Sequence, residues 1–290
     1  MINFNKMFLD TELEDWEEWS FDSYNFLKDK KEWMQLIKNV KEIMTIIDKW
    51  IVLLSSSDFK MNTYKKTIVF SMTIILESAL KTLDTVLYCL RTGKESDAFN
   101  LMRKFRDDLI FYLYVELKTK PTISSDNITR HYKNIKIEDW IFNTLKDLKW
   151  YDCLEEIKQN NDIKGAIKKY KLFNNNNYKD AIFNNYVHAN GINFYNQHMW
   201  TYDDKRIAKS AQNLNKKITS FFRDFLFSLI LLRPISIMAT DYEDYLSNGV
   251  IPPPIDTQYI VAPFICDYIH SHFKYEEIKY LQEVTKMKLL

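Results

Sequence analysis

The stretch YKKTIVFSMTIILESALKTLDTVLYCLRTGKESDAFNLMRKFRDDLIFYLYVELK, residues 64–118, decides the fold. In its first half Ile68, Met72, Ile75, Leu76, Ala79, Leu83, Val86, Leu87 and Leu90 recur every three or four residues. That period is the apolar face of a helix, not of a strand. The opposite side is polar, with Thr73, Glu77, Lys81, Asp84 and Arg91. Gly93 stands where a helix C-terminal cap belongs, and a second helix over 95–118 follows, with Ser96 or a neighbour as its N-cap. There Ala98, Met102, Phe105, Leu109, Tyr112 and Leu113 face inward, and Arg106 shares their face. A turn this short makes the two helices antiparallel neighbours.

Working outward, residues 31–54 carry another helical stripe, Met34, Ile37, Val40, Met44, Ile47 and Ile51, ended by Ser55–Asp58. Pro121 and the run Ser124–Asn127 mark a loop over 118–130. A moderately amphipathic helix is expected over 137–158, an Asn-rich connection over 171–179, and a short helix over 180–190 stopping at Gly191. A long helix follows over 203–239, broken near Pro234, where the ring removes a donor and clashes with the preceding turn. SNG and PPP within 247–256 are the clearest turn, before a terminal pair at 257–273 and 275–286.

Composition agrees. The 290 residues contain 4 Gly and 6 Pro, where average usage gives about 20 and 15. Glycine supplies the positive φ of tight turns, so a chain this poor in it does not easily build a sandwich, barrel or Rossmann-type sheet. GxGxxG and GxxxxGK[ST] are absent, and phosphate-cradling loops go with them. The expected architecture is all-α: a single multi-helix bundle of about eight or nine helices around the long antiparallel hairpin. Residues 1–30 form an acidic, aromatic N-terminal segment (Trp16, Trp19, Phe21, Tyr24, Phe26) placed on the outside. Residues 31–246 are the helical core, and 247–290 the C-terminal pair.

The net charge is +1, from 40 basic and 39 acidic residues, so no global field favours nucleic acid or an anionic membrane. The abundance of Lys, Asn, Ile, Phe and Tyr is the bias AT-rich coding produces, which lowers the meaning of runs such as Asn174–Asn177. Cys89, Cys153 and Cys266 are too sparse for a disulfide framework or a zinc site. The acidic N-terminus is the opposite of a signal or transit peptide. The longest apolar run, Phe225–Ala239, is interrupted by Arg233 and Pro234, and reads as a core helix rather than a membrane span. A cytoplasmic, reducing location is expected, with no membrane partner, no metal and no cofactor.

Chemistry-bearing residues concentrate in two places. In Asn184-Asn185-Tyr186-Val187-His188-Ala189-Asn190-Gly191, Asn184 and His188 share one helical face, and Tyr186 and Asn190 another. Histidine is the usual acid or base near neutral pH. The plainer reading of His188 is a hydrogen-bonded residue at a helix end capped by Gly191. On the hairpin, Arg103, Arg106, Asp107 and Asp108 are placed to meet Glu77, Lys81 or Asp84. A structural ion pair is the plain reading of Arg106, since an unpaired buried charge is costly. An anion site is the sharper one. His270 and His272 point about 200° apart on a helix and do not share a metal. His131 and His198 stand in no HExxH or EF-hand pattern. GxSxG and a credible catalytic cysteine are also absent. Aromatics interleaved with Lys and Arg, as in 168–178 or 200–206, fit base stacking but more often fill a helical core.

The long hairpin followed by a Tyr-x-His segment resembles the HEPN-like all-α proteins, a group that includes ribonuclease toxins and abortive-infection proteins of bacterial antiviral defence. The likeness spans residues 64–230 and is carried by Glu77, Arg103, Arg106 and Tyr186–Asn190. It implies an RNA-binding or metal-independent RNA-cleaving protein. His188, Arg106 and Arg103 would be its catalytic residues. Tyr186, Asn190, Asn184, Glu77 and Lys81 would contact substrate. Catalytic members place an Arg before the His with four to six residues between, on one helix. Here those positions hold Phe183, Ile182 and Ala181, so an arginine would have to come from another helix. The alternative is a non-catalytic helical interaction, regulatory or immunity protein, with a protein partner or homodimer in place of RNA.

Overall fold

The computed structural model describes residues 25–55, 60–62, 69–119, 135–142, 148–174, 178, 203–239 and 259–289. Among these it has nine α-helices: α1 (Lys31–Ser55), α2 (Thr73–Arg91), α3 (Glu95–Thr119), α4 (Ile135–Ile141), α5 (Trp150–Gln159), α6 (Lys164–Tyr170), α7 (Asp204–Leu232), α8 (Pro263–His272) and α9 (Tyr275–Thr285). The protein is all-α in class. Its strands are two- and three-residue pieces: β1 (Lys60–Asn62) against β2 (Val69–Ser71), and β3 (Tyr259–Ile260) beside β4 (Met287–Lys288). Chain contacts gather into two compact units whose boundaries fall inside α1, α2, α3 and α7.

The turn between α2 and α3 has the capping geometry its sequence demands. Gly93 has φ 70°, the left-handed region. Lys94 N–H donates to the Cys89 carbonyl at 2.8 Å and Gly93 N–H to that of Leu90 at 3.4 Å, which together satisfy two orphan carbonyls. The helix before this turn starts later than its apolar stripe suggests. Val69–Ser71 is strand and α2 begins at Thr73. Val69 and Phe70 are β-formers whose backbone groups pair with Met61 and Asn62 instead of continuing a helix. Helix α3 begins at Glu95, which puts Ser96 inside its first turn rather than at the cap.

Unit 1 comprises residues 1–44, 81–105 and 175–219. Its buried apolar residues include Trp33, Leu36, Val40 and Ile43 of α1, Leu83, Val86 and Leu90 of α2, and Phe99, Met102 and Phe105 of α3. The Trp33 indole donates to the Leu90 carbonyl at 3.1 Å, so burying it strands no polar group. Asn39 bridges to Asn215 and Thr219 of α7, and the buried Glu95 accepts from Ser210. The stripe on α1 centres one residue away from the expected line. Met34, Met44 and Ile51 are half-buried, while Trp33, Ile43 and Trp50 are closed off. Of the N-terminal aromatics only Phe26 is described. It is exposed, with Lys30 over its ring; Trp16, Trp19, Phe21 and Tyr24 lie outside the described residues.

Unit 2 comprises residues 45–80, 106–174 and 220–290. Its core is aromatic. Phe225 of α7 meets Trp50 and Tyr112 at 5.8 and 5.6 Å between ring centres, and Phe222 lies edge-on to Tyr268. Phe227 stacks on Phe273 and Tyr280. Pro234 breaks the long helix as expected: α7 ends at Leu232 and Pro234–Ile237 continues as a 3-10 turn. The Trp50 indole caps that turn region by donating to the Ser236 carbonyl at 2.7 Å. The helix expected over 137–158 is two, α4 and α5, and α8 and α9 match the expected terminal pair. No helix of the described residues is long and apolar enough to cross a membrane.

Candidate functional site

Arg106 stands on the inward face of α3 because the apolar stripe puts it there. Its side chain is fully buried, 0% exposed. An isolated guanidinium in that position would be prohibitively costly, since desolvation of a charge runs to several kcal/mol or more. Asp107 and Trp150 are among the neighbours that answer it. Nε and Nη2 both donate to Oδ1 of Asp107, at 2.8 and 2.7 Å. The indole of Trp150, the first residue of α5, lies 3.7 Å from the guanidinium carbon. The flat cation stacks on the negative ring face. One carboxylate that meets Arg106 is thus the next residue of its own helix. Asp108 turns instead to Ser78 of α2, whose hydroxyl donates at 3.0 Å.

The remaining expected site residues are placed as follows. Arg103, one turn before Arg106 on α3, is half-buried. Glu77 is half-buried on α2. Lys81 is exposed on the same helix, and its carbonyl accepts from Thr85. Asn184, Tyr186, His188 and Asn190 lie outside the described residues, as do His131 and His198. Among the described residues no group of three or more His, Cys, Asp or Glu is arranged to hold a metal ion. His270 is four residues from Cys266 on α8 and its Nε2 lies 2.6 Å from the Leu289 carbonyl, while His272 stacks on Tyr268.

Another of the buried charges escaped the sequence reading. Glu116, two turns beyond Leu109 on α3, is 3% exposed and takes a 2.8 Å hydrogen bond from Arg233 Nη1. Burial raises its pKa above the ordinary 4.5, and Arg233 opposes the rise. The Tyr112 hydroxyl is pushed well up by burial first and by Glu116 next. The signal was available: Arg233 interrupts the longest apolar run, and a basic residue in a core run requires a carboxylate somewhere in the fold. Trp150 carried no such signal, since its contact with Arg106 joins positions 44 apart in the chain.

These features define an all-α helical protein with charged groups built into the second helix of a long hairpin. No protein-family model matches the chain, and searches of curated proteins and of solved structures likewise return no match.

Proposed function

We propose that the chain is a HEPN-like helical protein that binds RNA and cleaves it without a metal ion, acting as a toxin or in antiviral defence in bacteria. The observation that carries this reading is the α2–α3 hairpin with Arg103 and Arg106 one turn apart on its second helix, taken with the sequence Tyr186–Asn190 that follows later in the chain. His188 takes the proton from a ribose 2′-hydroxyl, whose oxygen attacks the adjacent phosphorus. The P–O5′ bond breaks, the leaving oxygen is protonated, and a 2′,3′-cyclic phosphate and a 5′-hydroxyl result. Arg103 stabilises the extra negative charge on the phosphorane. Arg106, enclosed by Asp107 and Trp150, holds α3 in place rather than touching the phosphate. Tyr186, Asn184, Asn190, Glu77 and Lys81 position the strand.

The test is RNA cleavage by the purified chain in the presence of a chelator, with His188→Ala and Arg103→Ala beside it. Loss of cleavage in both variants supports the reading; cleavage that survives His188→Ala overturns it. A second reading, a non-catalytic interaction, regulatory or immunity protein, draws on the same Arg106, whose guanidinium is taken up by a carboxylate and a ring. That reading gains if the unaltered chain leaves RNA intact.

A further inference from the structure

Helix α6 of unit 2 concentrates a charge that the chain as a whole lacks. Residues 160–174 hold four lysines and one acid, Asp162, whereas the full sequence balances 40 basic against 39 acidic residues. Lys164, Lys168, Lys169 and Lys171 are all exposed. Their placement follows from what the segment buries. Ile163, Ala166, Leu172 and Phe173 are at most 3% exposed and anchor it, which leaves the lysines to water. The chain after the helix is fixed as well. Lys171 has φ 54° and its N–H bonds to the Ile167 carbonyl, and the Phe173 N–H donates to the buried Asp224 of α7 at 2.7 Å. Tyr170 packs on Tyr280 of α9, ring centres 5.3 Å apart, and its hydroxyl donates to the Glu276 carbonyl at 3.3 Å. Lys169 lies over both rings, its Nζ 4.9 and 5.1 Å from their centres. Lys164 donates to Asn161 at 2.6 Å, while Lys168 and Lys171 make no ion pair among the described residues. The exposed acids of α9 are Glu276 and Glu283, the latter 4.0 Å from Lys279.

Helix stability does not ask for these lysines. A cation in the last turn complements the helix dipole, which accounts for Lys168 and Lys169, but Lys164 stands in the first turn, where a cation is disfavoured. A helix of seven residues is about 10 Å long, so the four ammonium groups are crowded into one positive surface that an anionic polymer relieves. A membrane is the poorer occupant. A helix that lies on a bilayer sinks an apolar face into it, and the apolar residues of this segment are turned into the protein. Nor is the surface a slot for bases, since Tyr170 and Tyr280 are spent on each other and on Lys169. What it offers is charge on a fixed backbone, which keeps the ordering cost of binding low. We propose that α6 with Lys171 is the surface along which a single strand of RNA lies, held by its phosphates without regard to base sequence. Choosing RNA among phosphate polymers rests on the reading above; choosing the backbone over the bases rests on the lysines.

The experiment measures, by fluorescence anisotropy, how a labelled 2′-O-methyl oligouridylate binds the full chain as salt is varied. That strand carries every phosphate but lacks the 2′-hydroxyl nucleophile, so it is bound without being cut. Each phosphate contact to a single strand contributes about 0.7 to the steepness of log K against log salt, so four lysines give at least about 2.8. Lys168→Gln with Lys171→Gln lowers the steepness by about 1.4, which carried from 1 M to 0.1 M salt is a complex about 25-fold weaker. Lys38→Gln with Lys205→Gln removes the same charge from exposed positions of unit 1 and leaves the steepness unchanged. Oligoadenylate and oligocytidylate of the same length give the same salt dependence as oligouridylate. An unaltered salt dependence in the α6 variant, an equal drop in the unit 1 variant, or no binding of the strand overturns the surface. So does binding to phosphatidylserine vesicles that depends on Lys168 and Lys171 while the strand is ignored. The outcome is separable from catalysis. A chain that holds the strand through α6 but leaves RNA intact keeps the surface and loses the nuclease; a nuclease whose binding is indifferent to Lys168 and Lys171 does the reverse.

Discussion

If Arg106 is held by stacking on Trp150, the two side chains are energetically coupled, and a double-mutant cycle measures that coupling. The substitutions are Arg106→Met, which keeps an unbranched chain without charge, and Trp150→Leu, which removes the ring but stays apolar. The magnitude follows from geometry and exposure. The guanidinium carbon is 3.7 Å from the ring centre, well inside the usual limit of about 6 Å, and Arg106 is wholly shielded from water. Cation–π pairs give about 0.5–1 kcal/mol at exposed sites and about 2 kcal/mol when desolvated. Trp150 is only half-buried, so its outer edge stays hydrated and about 1–2 kcal/mol is expected. The cycle reports this pairwise part whatever else Arg106 touches, because other losses cancel between the single and double variants. Urea unfolding of the four proteins, followed by helical circular dichroism, supplies the free energies. Additivity within roughly 0.3–0.5 kcal/mol would falsify the stacking, and with it the assignment of Arg106 as a structural strut.

Glu116 gives a pH prediction. Its folded pKa is raised by burial, so between 4.5 and that raised value the folded chain holds a proton that the unfolded chain has released. Stability from this group therefore falls as pH rises through the window, and Glu116→Gln should flatten that part of a melting-temperature profile; an unchanged slope would show that Glu116 does not titrate there. Trp50→Phe removes the donor to the Ser236 carbonyl in a fully buried position. A cost of about 2–3 kcal/mol is expected from the orphaned carbonyl and the lost ring volume. Val52→Thr, at a 67% exposed position two residues on, should change stability by less than about 0.5 kcal/mol, and equal losses at both sites would contradict the packing. Burial raises the Cys89 thiol from 9.0 to about 11, so alkylation of Cys89 at pH 8 should run roughly a hundredfold slower in the folded chain than in the unfolded one. Peptide mapping after iodoacetamide treatment measures it, and rapid labelling of folded Cys89 would refute its burial.

The helices were legible because their information is local. Apolar residues at three- and four-residue spacing, Gly93 after Arg91 and Pro234 after Arg233 each act within one or two turns of chain. The parts that were missed depend on partners far apart in sequence. Val69–Ser71 fits a helical stripe on pattern alone, and becomes strand because Lys60–Asn62 pairs with it. Periodicity placed Arg106 on the buried face correctly, but could not say that Asp107 and Trp150 would receive it. Glu116 with Arg233 likewise joins segments that only the fold brings together.

The most direct test of the account is a cleavage assay on a single-stranded RNA with a chelator present, comparing the unaltered chain with His188→Ala and analysing product ends. Fragments bearing 2′,3′-cyclic phosphate and 5′-hydroxyl ends are expected from the unaltered chain and none from the variant. Intact RNA in both reactions, or equal cleavage by both proteins, would contradict it.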